Sequence, residues 1–382
     1  MKLTVDRTDL ARALHWASRS IPARPTAPVL AGVLIEADTA GTLTLAGFDW
    51  DVSSRSEVGA EVGEPGRAVV SGRLLADLVR GLPHTPVTLA AQDSHLHLTC
   101  GRSRLDLPLM VLRDYPQLPY LPPVVGTVDG AELAAALTRV TPCAGRDAAR
   151  PALTGVHLTA RGDGLLRLAA TDAYRVATAT VPFTPNGPAG EFTALAPAES
   201  LTVLGKDLAD SGTLTLACDG AVLGLDGGTR TATTRLLDCE CVKTDPLFPA
   251  EFGTTVRVDA AELAAAAARL APLLSREAPV VLDVTADGID LRAGDQEQGT
   301  GTDGVDGELL HGDPITIRLK PRYLIDALTG LDAVHADLSL ITPTKPVLIT
   351  AADAPDPAPF RALVMPIRDL PTKTSTPADQ AA

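Results

Sequence analysis

The chain has 382 residues, of which 45% are hydrophobic, and carries a formal net charge of −14 at pH 7. This length accommodates two or three soluble domains, and the acidic balance excludes a protein coated with positive charge. Residues 1–6 contain no apolar signal core, and no stretch reaches the roughly 20 apolar residues that span a bilayer. We therefore expect a cytoplasmic protein without a membrane partner, whose five cysteines are reduced.

The first predicted elements are a strand and a helix. Alternation over residues 2–5 predicts a strand, and a helix follows from Thr8 to Ser18 with Leu10, Leu14 and Ala17 on one face. Short apolar runs separated by turn residues then predict further strands. These runs cover residues 33–37, 43–46, 87–90 and 96–100.

This pattern occurs three times along the chain. Leu45, Leu168 and Leu291 lie 123 residues apart, and an aspartate follows four residues after each, as Asp49, Asp172 and Asp295. A Val-Asp motif at residues 5–10 returns at 128–133 and 258–263, and a second helical signature at 73–78 returns at 199–204 and 322–327. A unit of this length can bury its own core. The sequence therefore predicts an α+β chain of three similar domains, each with two helices packed on antiparallel sheet.

Proline and glycine clusters predict where the domains meet. They lie at residues 118–126 and 246–253, which gives domains over 1–122, 123–252 and 253–371. A polar tail over 372–382 is expected to be flexible. Residues 294–307, rich in Gly, Asp and Gln, predict a flexible hairpin.

Several local strings carry a resemblance to a known family. They are Ala23-Arg24-Pro25-Thr26-Ala27-Pro28-Val29-Leu30, Arg80-Gly81-Leu82-Pro83, Gly101-Arg102-Ser103-Arg104, Ala170-Thr171-Asp172-Ala173-Tyr174-Arg175, Thr342-Pro343-Thr344-Lys345-Pro346 and Val364-Met365-Pro366-Ile367-Arg368. In this order, on a three-repeat chain, they resemble the bacterial sliding clamp, the beta subunit of DNA polymerase III. The arginine-rich composition fits a GC-rich genome, and the resemblance is to an actinobacterial member.

The resemblance implies a head-to-tail homodimer of six domains, a ring whose helices line a hole for double-stranded DNA. It places Leu105, Leu273 and Leu274 at the dimer contact. Sliding requires weak phosphate contacts without sequence preference, and the basic candidates are Arg24, Arg73, Arg80, Arg139, Arg146 and Lys206. For any single one of these an ordinary solvated side chain is an equal alternative, except for Arg24, whose loop string matches the family. The third repeat offers only Arg269 over residues 262–269, so weaker DNA holding than in a housekeeping clamp is expected.

The resemblance also implies a hydrophobic cleft between domains 2 and 3 for short peptides of the polymerase III alpha subunit, the clamp loader and repair proteins. Two positions depart from the family pattern: Val242 replaces a proline and Asp245 replaces an arginine, which predicts an altered peptide or inhibitor preference. Without the resemblance, most of the cleft positions read as ordinary core and strand-end residues. The cleft positions are Leu153, Thr171, Ala173, Tyr174, Arg175, Val176, Val242, Asp245, Tyr323, Leu363, Met365, Pro366, Ile367 and Arg368.

Other classes of function have weaker support. His95 and His97 are predicted to share one strand face, and Cys239 and Cys241 likewise, but no third or fourth ligand has a metal-site spacing. No activating dyad accompanies a cysteine, so a hydrolase or transferase is the weaker reading and no cofactor is expected. A divergent accessory or inhibitor-resistant paralogue stays open beside the processivity clamp.

Overall fold

The structure is a computed structural model that describes residues 1–187, 191–275, 278–295, 299–355 and 357–368. The predicted flexible tail, 372–382, lies outside the described residues, as does the tip of the predicted hairpin at 296–298. Within the described ranges, no helix combines the length and apolarity needed to cross a bilayer.

Repeat 1 contains two successive sets of strand, helix and antiparallel strands. Its elements are β1 (Lys2–Val5), α1 (Arg7–Ala17), β2 (Gly32–Ala37), β3 (Thr42–Phe48), β4 (Val52–Gly59), β5 (Glu61–Glu64), β6 (Gly66–Ser71), α2 (Gly72–Gly81), β7 (Val87–Gln92), β8 (His95–Cys100) and β9 (Ser103–Pro108).

Repeat 2 has the same order of elements. They are β10 (Val124–Asp129), α3 (Gly130–Val140), β11 (Gly155–Ala160), β12 (Leu165–Thr171), β13 (Arg175–Pro182), β14 (Thr184–Pro185), β15 (Phe192–Pro197), α4 (Ala198–Leu208), β16 (Thr213–Cys218), β17 (Val222–Asp226) and β18 (Arg230–Arg235).

Repeat 3 closes the series and confirms the three-domain α+β prediction. Its elements are β19 (Thr254–Asp259), α5 (Ala260–Leu270), β20 (Val280–Thr285), β21 (Gly288–Asp295), β22 (Gly299–His311), β23 (Ile315–Leu319), α6 (Pro321–Thr329), β24 (His335–Leu340), β25 (Val347–Ala351) and β26 (Phe360–Val364).

The described chain divides into two compact units. Unit 1 contains Met1–Ala170 and Thr180–Val242, and unit 2 contains Thr171–Ala179 and the segment from Lys243. In unit 1 the strand orders are β5-β1-β7-β8-β9, β14-β10-β16-β17-β18-β4-β3-β2-β6 and β15-β11-β12. In unit 2 the order is β13-β26-β25-β24-β19-β22-β21-β20-β23, and the paired strands are antiparallel.

The repeated residues have repeated structural roles. Leu45, Leu168 and Leu291 are completely buried in β3, β12 and β21, which explains their fixed spacing. The recurring aspartate of the Val-Asp motif caps the first helix of each repeat, because its carboxylate accepts the otherwise unbonded backbone N–H groups of the first turn. These caps are Asp6, Asp129 and Asp259.

The two helices of each repeat pack against each other over the sheet. In repeat 2 the helices approach closely at a glycine: a Cβ atom on Gly205 of α4 would lie 2.5 Å from Leu137 Cδ1 of α3. No carbon pair tolerates that separation without movement. The absence of a side chain at Gly205 therefore lets Leu137 of α3 pack directly against the backbone of α4.

Candidate peptide site and interaction surfaces

A tight turn before β13 organises the predicted peptide site in unit 2. Asp172 Oδ1 accepts hydrogen bonds from the backbone N–H groups of Tyr174 at 3.0 Å and Arg175 at 3.1 Å. Ala173, between them, has a φ of 75°, in the left-handed region. This turn leaves the Tyr174 side chain 56% exposed to solvent.

Arg175 is buried and holds the turn to helix α6. Its Nε donates to Asp172 Oδ2 at 3.0 Å, and its Nη1 donates to Asp326 Oδ2 at 2.6 Å. The guanidinium carbon lies 4.3 Å from the centre of the Tyr323 ring, within cation–π range. Because two carboxylates compensate its charge, Arg175 orients Tyr323 and the turn and adds little net charge to the surface.

A lysine that the sequence analysis did not select joins this group. Lys320 Nζ lies 5.8 Å from the Tyr174 ring centre and 5.4 Å from that of Tyr323. Lys320 directly precedes α6 and lies about one helical turn before Tyr323. This spacing could have indicated from the sequence that the two side chains are neighbours. The surface therefore presents an ammonium group close to two aromatic rings.

The strand end after β26 lies beside the Asp172 turn in unit 2. Met365 N donates to Tyr174 O at 2.9 Å, and Ile367 N donates to Arg318 O at 2.8 Å. Val176 pairs with Leu363 across the ladder. The predicted cleft residues of unit 2 differ in solvent exposure. The buried ones include Thr171, Val176, Leu363 and Pro366, the half-buried ones are Met365, Ile367 and Tyr323, and the exposed ones include Ala173 and Arg368.

The remaining predicted cleft residues are Leu153, Val242 and Asp245. Leu153 ends a 3-10 turn of unit 1 and is half-buried, and Val242 is the last residue of unit 1. Asp245 is exposed at the start of the unit 2 turn Asp245–Leu247. The structure thus groups eleven predicted cleft residues and Asp245 in one unit, and the contribution of Leu153 and Val242 stays a prediction.

The predicted DNA-facing residues lie on helices and adjoining loops. Arg73 and Arg80 are exposed on α2, Lys206 is exposed on α4, and Arg139 is half-buried on α3, whereas Arg24 and Arg146 are exposed in loops. Arg80 and Lys206 line one depression of about 880 Å³, together with Arg12, which the sequence analysis missed. Arg12 lies on α1, five residues after Arg7, where its exposed helical position was a readable signal.

The one basic residue of α5 forms a partly exposed ion pair. Arg269 Nε donates to Asp303 Oδ2 at 2.7 Å, and this bond raises the pKa of Arg269 and lowers that of Asp303. Because Arg80 of α2 also has an ion-pair partner, Asp77 at 3.4 Å, this contact does not distinguish repeat 3, and its weaker hold on DNA stays a prediction.

The predicted dimer residues accompany open strand edges. Leu105 is half-buried on β9, the last strand of its sheet, and Leu273 and Leu274 are half-buried at the turn after α5. Along β22, residues 299–306 pair with β21, whereas the β19 pairing covers residues 307–311. The first half of β22 therefore has one free edge among the described strands.

The histidine and cysteine pairs differ from each other. His95 and His97 share a face of β8 as predicted, and His97 Nδ1 lies 2.5 Å from Asp106 Oδ1. The strand expected around Cys239 and Cys241 is wrong: residues 236–244 form no strand, because the segment has no ladder partner after β18. Among the described residues, no group of three or more His, Cys, Asp and Glu side chains could hold a metal ion.

Comparison with known proteins matches nearly all of the described chain. Residues 1–119, 127–242 and 245–368 match the family models described as the N-terminal, central and C-terminal domains of the DNA polymerase III beta subunit. The domain limits at 122 and 252 stay predictions.

Two relatives and one solved structure illustrate the similarity. The beta sliding clamp of Streptomyces coelicolor is 39% identical over 376 residues, covering 96% of this chain and 99% of that protein. The beta sliding clamp homolog GriR of Streptomyces muensis is 35% identical, with 96% and 99% covered. The crystal structure of the Bacillus subtilis sliding clamp has a TM-score of 0.90 at 22% identity, covering 97% of this chain and 100% of that one. With all three domains matched and relatives this similar, the chain belongs to the bacterial sliding clamp family, the beta subunit of DNA polymerase III.

Proposed function

We propose that two copies of this chain form a closed ring that encircles double-stranded DNA and tethers DNA polymerase III. The observation that carries the proposal is the pair of free strand edges, β9 in repeat 1 and the first half of β22 in repeat 3. An interface between two different patches closes into a ring when the rotation allows it. Half-buried Leu105 and Leu273 beside these edges supply apolar contact.

The tether needs little affinity, because a closed ring leaves DNA only by opening. Exposed Arg73, Arg80, Arg24 and Lys206 suit weak, salt-sensitive phosphate contacts. The protein acts in this proposal as a non-catalytic processivity factor in the cytoplasm, at the nucleoid. The comparisons favour this function and give the accessory paralogue no advantage over it.

Topological linkage tests the ring. The protein is loaded onto nicked circular plasmid by a clamp loader, and the plasmid is then linearised. We expect co-elution with the circle and release within minutes of cutting, and monomers with no retention for a Leu105→Asp, Leu273→Asp variant. Val334→Asp, at an exposed position, is the control. Equal retention on linear and circular DNA would contradict the ring.

The unit 2 surface is proposed as the site for partner peptides, including those of the alpha subunit and the clamp loader. Apolar Met365 and Ile367, next to the aromatic Tyr174 and Tyr323, suit capture of short apolar motifs. The probe is a fluorescein-labelled peptide from the clamp-binding segment of the organism's own alpha subunit. Tyr323→Ala should weaken its binding about tenfold, whereas Tyr120→Ala, at an 80% exposed position, should leave it unchanged.

A further inference from the structure

Repeat 1 contains a turn like the one at Asp172. That turn lies in repeat 2 and organises the proposed peptide site of unit 2. Asp49 Oδ1 accepts the backbone N–H groups two and three residues ahead at 3.0 and 2.6 Å, as Asp172 does at 3.0 and 3.1 Å. The residue after each aspartate is left-handed: φ is 83° at Trp50 and 75° at Ala173. A left-handed tryptophan is uncommon, and this one is 52% exposed.

The strand end beside each turn is also fixed in the same way. In each unit, two backbone hydrogen bonds hold the strand end. The four residues that form them in unit 1 match, by the repeat spacing, the four in unit 2. The hydrogen bonds run from Arg235 N to Asp51 O (2.8 Å) and Leu237 N to Leu195 O (2.8 Å) in unit 1, and from Met365 N to Tyr174 O (2.9 Å) and Ile367 N to Arg318 O (2.8 Å) in unit 2. Unit 1 therefore reproduces the backbone of the proposed peptide site.

A pocket of about 570 Å³ lies at this turn in unit 1, and we call it the repeat 1–2 pocket. Its lining includes the apolar side chains of Val52, Val203, Leu236 and Leu237, all half-buried. Such a surface can take one or two aliphatic side chains of an extended peptide.

The rim of the repeat 1–2 pocket is mainly acidic. Asp49, Asp51, Glu199 and Asp238 all line it. Of the two arginines that also line it, Arg19 is bound to Asp207 through two guanidinium nitrogens, and Arg235 Nη1 lies 3.7 Å from Asp51 Oδ1. The remaining negative charge favours a ligand with basic side chains.

The side chains also differ at the centre of the two sites. In unit 2, Arg175 binds the Asp172 carboxylate and Asp326. Counted by the repeat spacing, Val52 and Val203 hold these positions in unit 1. Within the described residues, no arginine pairs with Asp49. Its Oδ2 atom can therefore accept a hydrogen bond from a cationic group of a ligand.

We propose that the repeat 1–2 pocket binds a short basic linear peptide of a protein partner, with an aliphatic side chain on its apolar floor and an arginine or lysine at Asp49. This inference rests on the proposed function of the unit 2 surface as a peptide site, because peptide binding is inferred for the pocket from the backbone hydrogen bonds that the two sites share.

The test uses the full-length protein and a fluorescein-labelled peptide, acetyl-Gly-Arg-Leu-Leu-Arg-Gly-amide, followed by anisotropy. Val52→Arg rebuilds the arginine of unit 2 inside the pocket and should weaken binding at least about fivefold. Val334→Arg adds the same charge at an exposed position and should leave binding unchanged. Asp49→Asn keeps the Oδ1 acceptor of the turn and should also weaken binding. A peptide with glutamates in place of the arginines should not bind.

Two results would overturn the proposal: equal affinity of the basic peptide for wild type and Val52→Arg, or displacement of that peptide by the alpha-subunit peptide. The unit 2 site is measured separately in each variant with the alpha-subunit peptide. If Val52→Arg binds the alpha-subunit peptide normally, the variant is folded and the result concerns the repeat 1–2 pocket alone. Failure of wild type to bind the alpha-subunit peptide would contradict the proposed function instead.

Discussion

Two residues of the proposed peptide surface, Lys320 and Asp245, carry opposite charges within unit 2. Lys320 Nζ lies 5.8 and 5.4 Å from the centres of two tyrosine rings, whereas Asp245 is exposed at the start of the turn Asp245–Leu247, where the family pattern has arginine. A ligand carboxylate is attracted by the first and repelled by the second. The balance between these two residues is therefore expected to set which partner peptides bind.

Restoring the family residues tests this balance. A Val242→Pro, Asp245→Arg double variant should bind a generic clamp-binding peptide several-fold more tightly than the wild type, because it regains a positive charge and a proline ring. Isothermal titration measures both affinities. Equal affinity in the two proteins would remove the hypothesis of altered preference.

Arg175 should matter for stability as well as for binding. Arg175→Ala leaves Asp172 and Asp326 facing each other without their shared cation, and breaking a buried ion pair from one side costs about 3 kcal/mol or more. Urea denaturation should show this loss. Arg368→Ala, at an exposed position, should change the free energy of unfolding by less than about 0.5 kcal/mol. Similar losses in both variants would argue against the role of Arg175 as an organiser.

At the scale of elements, the caps explain why the helices begin where they do. Asp129 Oδ1 accepts the N–H groups of Ala131 and Glu132 at 2.9 and 3.0 Å, whereas Asp259 is seen to accept only that of Glu262. Asp129→Ala should therefore reduce stability by about 1 kcal/mol. Glu199→Ala, in the first turn of α4 but outside any cap, provides the thermal-denaturation control, and an equal loss there would contradict the capping role.

The local patterns predicted the elements well because their causes are local. Leucine spacing identified α1, and alternation identified β1 and β8 within a residue or two. The same alternation failed at Cys239 and Cys241, because a strand also needs a neighbouring ladder. The sequence alone could not show that Arg269 forms an ion pair. Its partner Asp303 lies 34 residues away on β22, and the contact exists only in the folded chain.

The candidate sites were predictable to a different degree. The strings around Tyr174 and Met365 located the unit 2 surface through a family resemblance, and the fold brings them together by backbone pairing. Lys320 could not be selected, because its role depends on the distance to two rings. The repeat 1–2 pocket required the hydrogen bonds of both repeats, although the shared aspartate spacing was visible beforehand.

At the scale of the whole molecule, acid should destabilise the protein. Backbone hydrogen bonds hold the pKa of Asp219 below its ordinary value, and bonds from arginine do the same for Asp163 and Asp210. A depressed folded-state pKa gives stability above the unfolded pKa that is lost as pH falls through the folded value.

The melting temperature should therefore fall between about pH 5 and about pH 3. Asp219→Asn retains the Oδ1 acceptor for the N–H groups of Ala221 and Val222 but cannot titrate. Its melting temperature should depend less steeply on pH than that of the wild type. Parallel slopes in the two proteins would exclude Asp219 as a contributor.

The glycine at the crossing of α3 and α4 has a consequence for motion. A glycine inside a helix lowers its intrinsic helical tendency by about 1 kcal/mol relative to alanine, so α4 is poorly suited to persist alone. Its order then comes from close packing on Leu137, and amide protons along the middle of α4 should exchange with deuterium only when the repeat opens as a whole. The helix that brings Lys206 to the surface would thus remain rigid for as long as its partner helix is folded.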